Sequence, residues 1–396
     1  MDARSQLKFA GLALAALLGL AACEQKEGAA PAAGAEMIVK IGLVAPLTGP
    51  QAHLGRDNDN GARLALDEIN ARGIVIGGKK IRFELVSEDD QADPKTATIV
   101  AQKLVDAHVK GVIGHLNSGT SIPASKIYHD AGIPQISPSA TAVKYTAQGF
   151  KTAFRVMTND RQQGKVLGRF AVRKMGARRV AIIDDRTAYG QGLADEVERA
   201  VRAAGGEVVA REYTTDRASD FLAILTAIKA KNPDVIFYGG MDPQAAPMVK
   251  QMQTLGVKAR FLGGDGVMTA NFLKNAGKSA AGVTASSPGL PLDVMPGGKA
   301  FREKFTAKYG QIQTYAPYAY DAAMAMVEAM KRADSVEPAR YLPEIGRVRL
   351  NGVTGPVSFD AKGDVRAAAI TIYRVRDARW DVLETAARGG RPAAKK

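Results

Sequence analysis

A two-lobed α/β fold, with a parallel sheet at the centre of each lobe, is what this sequence predicts, and three observations carry it. The chain has 396 residues, which at ~100 to 200 residues per domain favours two domains over a single core. From Ile38 onward, short runs rich in Val, Ile and Phe alternate with longer segments of helical apolar spacing, the signal of βαβ units. That alternation restarts after "FRVMTND" (154–160). The two halves share a plan without any fixed short repeat, which excludes a solenoid.

Taken in order, the apolar runs of the first lobe place strands near 38–45, 81–87, 110–116 and 133–137, with helices near 56–72, 94–107 and 120–131. In the first helix Ala62, Ala65, Leu66 and Ile69 share a face, and "NARG" (70–73) supplies the stop. The acids of "EDDQAD" (88–93) lack the spacing and the glycine of a calcium loop. Asp93 and Pro94 suit instead the N-cap and first position of a helix. The second lobe reads as helix 160–175, strand "RRVAIIDD", helix 190–204, strand "EVVAREY", helix 220–231, strand "DVIFYGG", helix 244–255 and strand "RFLGGD". A strand near 283–287 follows, then helices 297–309 and 317–333 and a β-rich tail ending in "AAAITIYRVRDARWDVLE". Within the tail "RDAR" reads as a hairpin turn, although it lacks the tight-turn glycine.

Composition narrows the class. With 46% hydrophobic and 24% charged residues the chain is an ordinary globular one. Only its start is unusual: Arg4 and Lys8 precede "FAGLALAALLGL" (9–20), too short to span a bilayer but suited to a secretory leader over residues 1–22. "LAAC" (20–23) resembles a bacterial lipobox, so lipidation of Cys23, a flexible tether over 23–36 and a membrane-anchored periplasmic location are expected. Cys23 is the only cysteine, which excludes an intramolecular disulfide despite an oxidising compartment. The net charge of +14 is scattered among acids, as in "REKFTAKYG". Without a helix-turn-helix or an aromatic RNA-binding pattern, this reads as a solvated basic surface and not as a nucleic-acid interface.

In "VIGHLNSGTSIPAS" (112–125) His115 precedes a run of hydroxyls, the residue types of a serine hydrolase. There is no G-x-S-x-G elbow, and a strand ending at 116 leaves His115 in the strand and Ser118 in the loop beyond. No H-x-x-x-H or C-x-x-C occurs, so no metal or cofactor is expected. "YGQGLADE" begins like a dinucleotide loop but has Asp195 where a glycine is required. What remains is a strand carboxyl end running into Ser118, Thr120 and Ser121 at the start of a helix. Ligands bind at such ends in open α/β sheets, and a helix N-terminus suits an anion. From this segment alone, a plain N-cap accounts for the hydroxyls equally well. "ISPSATA" (136–142) adds a second hydroxyl cluster after the next strand, so two adjacent strand ends offer donors to one negative group.

Read together, "GLVAPLTGPQAHLGRDNDNGARLALDEINARGI", "VIGHLNSGTSIPASKIYHDAGIPQISPSATA", "DDRTAYGQGLADE", "FYGGMDP" and "FLGGDGV" resemble the leucine/isoleucine/valine-binding proteins of ABC importers, in order and over nearly the whole chain after the tether. The resemblance implies a type I periplasmic binding protein: two Rossmann-like lobes joined by three crossovers, with an amino acid between them. Lobe 1 would take 37–157 and 287–363, lobe 2 would take 158–286 and 364–390, and 391–396 would be a basic tail. By the same resemblance Ser118 meets the ligand carboxylate, Ser139 contributes backbone, Ala140 belongs to the same segment, and Thr141 touches both carboxylate and ammonium. Tyr189 lines the pocket from lobe 2, and Asp265 stands where the family has a glutamate for the α-ammonium. Leu54 and Met241 replace tyrosines usual in leucine-type binders, and Ala92 and Asn117 replace a cysteine pair of some relatives. The implied function is a non-enzymatic monomer that captures an aliphatic amino acid and hands it to permease subunits. Its rivals are a ligand sensor of the same fold and a secreted hydrolase using Ser118 and His115.

Overall fold

Val39, Ile41, Leu43 and Val44 are all buried, so the strand that carries them, β1 (Met37–Ala45), is covered on both faces and lies inside a sheet. The computed structural model describes residues 36–366 and 369–386. The leader, Cys23, the tether up to Ala35 and the tail 391–396 lie outside the described residues.

After β1 come α1 (Ala52–Ala71), the short β2 (Val75–Ile76), β3 (Lys79–Asp89), α2 (Pro94–Asp106), β4 (Val112–Gly114), α3 (Ser118–Asp130), β5 (Gln135–Ser137), α4 (Val143–Ala147) and β6 (Ala153–Arg155). Their sheet has the order β2-β3-β1-β4-β5-β6, parallel except for the β2–β3 hairpin. Gly77 and Gly78 close that hairpin with φ of 60° and 73°, the left-handed pair a two-residue turn requires. Asp93 caps α2 by accepting from Thr96 N at 2.7 Å, with Pro94 in the first turn, as expected.

The second sheet draws on the next stretch: α5 (Asp160–Arg173), β7 (Arg179–Asp184), α6 (Ala188–Ala203), β8 (Glu207–Tyr213), α7 (Leu222–Ala230), β9 (Val235–Gly239), α8 (Asp242–Thr254), β10 (Arg260–Gly263), α9 (Ala270–Ala276) and β11 (Thr284–Pro288). The chain then returns to the first lobe as α10 (Gly298–Tyr309), α11 (Ala316–Arg332) and α12 (Pro338–Ile345), followed by the small ladder β12 (Leu350–Asn351) and β13 (Pro356–Val357). It ends back in the second lobe with the antiparallel pair β14 (Ile370–Arg376) and β15 (Arg379–Ala386), giving the order β15-β14-β11-β10-β9-β7-β8. The chain therefore passes between the lobes three times: after β6, after β11 and before β14. The "RDAR" turn forms with Asp377 and Ala378 at φ of 47° and 57°, so a non-glycine pair adopts the left-handed conformation here.

Boundaries depart from the sequence reading where elements are short. The strands expected at 110–116 and 133–137 shrink to three residues each. The helix expected from 120 begins at Ser118, and Asn117 occupies its N-cap without a side-chain bond. The suggestion that Ser118, Thr120 or Ser121 caps this helix is therefore corrected: Ser118 Oγ accepts from Ala142 N, Thr120 Oγ1 donates to Asn117 O, and Ser121 Oγ donates to His115 O. β2, α4, β6, α9, α12 and the β12–β13 ladder were not foreseen.

One buried carboxylate fixes the return helix α11 against α1. Asp57 of α1 accepts from the backbone N–H groups of Gln313, Thr314, Tyr315 and Ala316 at 2.9, 3.0, 2.7 and 2.9 Å. Tyr315 at the N-cap and Ala316 at the first position are donors of the helix start, and Gln313 and Thr314 belong to the segment leading into it. Gly61, one turn on, has no Cβ to run into the Ala316 carbonyl, so the two helices close tightly. Burial nevertheless outweighs the four bonds and pushes the Asp57 carboxyl above its ordinary value. Asp57→Ala would strand several buried N–H groups, and urea unfolding should show a loss of roughly 3 kcal/mol.

Candidate functional site

Strand carboxyl ends from both sheets converge on one small chamber of ≈ 10 Å³, lined by Leu116, Asn117, Ser118, Ser139, Tyr189, Met241, Asp265 and Tyr315. Leu116 to Ser118 follow β4, Ser139 follows β5, Tyr189 opens α6 after β7, Met241 follows β9 and Asp265 follows β10. Tyr315 is the exception, standing at the N-cap of α11. Of the residues expected from the sequence, Ser118, Ser139, Tyr189, Met241 and Asp265 meet in this wall. Leu54, Ala140 and Thr141 are buried but are not among its lining residues. Leu54 packs in the main hydrophobic core.

Asp265 is the electrostatic centre of the chamber. It is 1% exposed and opens a single 3-10 turn, Asp265–Val267. Its Oδ1 accepts from Gln163 Nε2 at 2.7 Å and Tyr189 OH at 2.8 Å, and its Oδ2 accepts from Tyr315 OH at 2.8 Å. Burial raises the carboxyl above its ordinary value, with the two phenols working against the rise. Both phenols are themselves pushed well up, first by burial and then by the charge of Asp265, so they act as neutral donors. Gly264 makes the geometry possible, because a Cβ there would lie 2.5 Å from the Tyr189 hydroxyl oxygen.

The opposite side of the chamber is built from donors. Ser118 begins α3, where the first N–H groups have no partner within the helix and carry partial positive charge. Ser139 Oγ donates to Leu116 O at 2.9 Å, and Ser137 Oγ supports the turn by accepting from Ala140 N at 2.9 Å. No lysine or arginine lines the chamber. An anion here must be held by hydroxyls and backbone N–H groups.

Contacts that join the lobes over this site include Tyr315 to Asp265, Thr314 Oγ1 to Met268 O at 2.8 Å, and His53 Nε2 to Asp242 Oδ2 at 3.0 Å. The hydrolase geometry is not assembled. His115 is fully buried, with Nδ1 on Asp90 Oδ2 at 2.9 Å and Nε2 on the Tyr128 hydroxyl at 3.1 Å. Both ring nitrogens are thus engaged away from Ser118.

Gln163 and Tyr315 escaped the sequence reading. Gln163 lies on the first turns of α5, three residues past a helix start, and the apolar pattern that located the helix gives no hint that a polar residue points inward. Tyr315 sits in "QTYAP" (313–317), where only Pro317 marks a helix start.

Comparison with known proteins extends the geometry. A family model described as periplasmic binding protein matches residues 38–379. A Leu/Ile/Val-binding protein homolog of Brucella abortus is 36% identical over 372 residues, covering 92% of this chain and 95% of the relative. Among solved structures, a leucine binding protein of Thermotoga maritima superposes with a TM-score of 0.82 at 27% identity, covering 88% of this chain and 98% of its own. A branched-chain amino acid transporter substrate binding protein of Streptococcus pneumoniae in complex with isoleucine gives 0.79 at 29% identity, covering 89% of this chain and 100% of its own.

The raised carboxyl of Asp265 has a signed consequence. Below the unfolded carboxylate value of ~3.9 both states are protonated. As pH rises above it the unfolded chain ionises first, so the folded state binds the extra proton and stability falls until the raised folded value is passed. Without added ligand, Asp265→Asn should therefore gain stability relative to the parent protein as pH increases from about 4. Paired urea titrations across that range would read the difference.

Proposed function

The chain belongs to the periplasmic binding protein family, and from that premise we propose that it captures an aliphatic α-amino acid between its lobes and delivers it unchanged to an ABC permease. One observation carries this reading: a buried carboxylate, Asp265, faces a helix start and hydroxyls across a small chamber without a cationic side chain. A zwitterion matches both sides, with its ammonium toward Asp265 and its carboxylate toward Ser118 and the N–H groups of α3. Thr141, Ala140 and Ser139 belong to the segment that would close on the two charged groups. Tyr189 and Met241 would bound the side chain from the second lobe. Retention near the permease would come from a lipid on Cys23, and release from reopening of the three crossovers.

Magnitudes are adequate without any chemistry on the ligand. Micromolar capture needs about −8 kcal/mol. Charge-assisted hydrogen bonds of ~1.5 to 3 kcal/mol each and ~1.5 to 3 kcal/mol for burying one aliphatic side chain reach that after ordering is charged against them.

Two measurements test the proposal. A thermal-shift and calorimetric panel of L-amino acids, including Leu, Ile, Val and Ala, should give stoichiometric stabilisation by at least one; a flat panel would remove the amino-acid assignment. Asp265→Asn should weaken the best binder by about 1.5 to 3 kcal/mol, and unchanged affinity would take Asp265 out of the site.

A further inference from the structure

Helix α5 differs from other surface helices of this chain in the charge of its exposed side. Arg161, Lys165, Arg169 and Arg173 stand four residues apart along it and all are exposed, so they form one cationic line about 18 Å long. Elsewhere the same spacing matches opposite charges, as in Asp59–Arg63, Glu68–Arg72, Lys126–Asp130 and Glu198–Arg202. Like charges at this spacing repel and weaken a helix. α5 therefore carries a repulsion that those helices avoid.

The line borders a groove of ≈ 640 Å³ between α5, the 360–364 segment and the end of β15. Lys174 and Lys362 join the four cations in its wall, and Val166 and Phe170 add apolar surface. The acids of the wall are already engaged. Asp364 accepts from Arg155 Nε at 2.7 Å, Thr146 Oγ1 at 2.7 Å and Asn159 Nδ2 at 3.0 Å. Asp360 accepts from the backbone N–H groups of Lys362 and Asp364 at 2.9 and 3.0 Å, and Glu384 faces Lys174 at 4.0 Å. Arg161 reaches Glu196 of α6 at 3.8 Å, but Lys165, Arg169, Arg173 and Lys362 have no ion-pair partner among the described residues. The chain beyond Ala386, itself a wall residue, carries Arg388, Arg391, Lys395 and Lys396 and no acid. Its charge has the sign of the groove and does not complement it.

A groove of this size, apolar in part and rimmed by unmatched cations, suits a small organic anion. We propose that it is a second binding site, for an organic molecule that carries two or more phosphate or carboxylate groups on a short apolar body. Lys165 and Arg169 grip the anionic groups from α5 and Lys362 from the facing segment, with the apolar body against Val166 and Phe170. The groove is concave and partly apolar, which favours a discrete molecule over a flat lipid surface. It shares no lining residue with the chamber and is independent of amino-acid capture.

Titration calorimetry with hexanediol bisphosphate, which has a phosphate at each end of a short alkyl chain, tests the site, with hexanediol and inorganic phosphate alongside. The parent protein should bind the bisphosphate stoichiometrically and more weakly as salt is raised, bind inorganic phosphate at least ~10-fold more weakly, and ignore the diol. The double substitution of Lys165→Gln with Arg169→Gln should lose at least ~10-fold in affinity and Lys362→Gln at least ~3-fold. Lys274→Gln with Lys278→Gln, which removes the same charge elsewhere in the second lobe, should lose less than ~2-fold. Without ligand the α5 variant should melt at an equal or higher temperature, because repulsion along the helix is relieved. No binding by the parent, or equal losses in the two double variants, would overturn the site. So would a protein that ignores the free bisphosphate but binds phosphatidylglycerol vesicles more tightly than phosphatidylcholine vesicles and loses that preference with Lys165 and Arg169; the cations would then serve a lipid surface.

Discussion

Everything at the centre of this molecule is arranged around one buried negative charge. Asp265 lies in the second lobe, yet it accepts hydrogen bonds from Gln163 and Tyr189 of that lobe and from Tyr315 of the first. A lone carboxylate in such a place would be neutralised by desolvation, and its ordinary value is indeed raised. Three neutral donors soften that cost without cancelling the charge's demand for a cation. The Tyr315 hydroxyl reaches Asp265 from the other lobe, so one bond ties the buried charge to the contact between the lobes. A ligand bearing an ammonium would complete what the three donors only begin.

The bond from Tyr315 depends on parts that never touch the chamber. Tyr315 is held by Asp57 gripping the start of α11, and α11 is held by its close approach to α1 at Gly61. A second buried charge does the same work on the hydroxyl side. Arg155, with no exposed surface, donates to Ala140 O and Ala142 O at 2.8 and 3.0 Å on either side of Thr141, and to Asp364 Oδ1 at 2.7 Å. Asp364 stands in the third crossover. Burial works against its charge, but Arg155 and its hydrogen bonds hold it below the usual carboxylate range. The Ser139–Ala142 segment is thereby tied to the same ion pair as the crossover.

How legible this was in the sequence follows from what each feature needs. The long helices and the continuous apolar strands of β1, β7 and β9 carry their own periodicity, so the two-lobed α/β plan could be read directly. β5 and β6 are three residues long, too short for any periodicity, and α4 spans five residues. These owe their form to neighbours already in place. The polar end of the site was partly readable, because hydroxyls clustered after adjacent strands point to one ligand group. Tyr315 and Gln163 were not: each is distant in sequence from the strand end it serves, and only the folded arrangement brings 163, 189 and 315 to the carboxylate of Asp265. Asn117 as the N-cap of α3 frees the Ser118 hydroxyl for other partners, a choice that local preference cannot make, since Ser and Asn are near equal at that position.

The side-chain end of the chamber follows a different logic from the polar end. Asp265 is short, has few rotamers and is bonded on both oxygens, so its carboxylate is fixed in place. Met241 is unbranched and polarizable, and its sulfur packs against Gly266, where a Cβ would lie 2.6 Å away. Such a side chain fills irregular space and yields to different shapes. Leu116 and Met241 supply the apolar part of the lining, and Leu54 packs in the same hydrophobic cluster without reaching the chamber wall. In any apolar pocket one methylene of difference is worth only ~1 to 3 kcal/mol, and a compliant methionine lowers that further. On the proposed reading, selectivity therefore resides in the charged groups every α-amino acid shares, with the side chain admitted by size more than by shape.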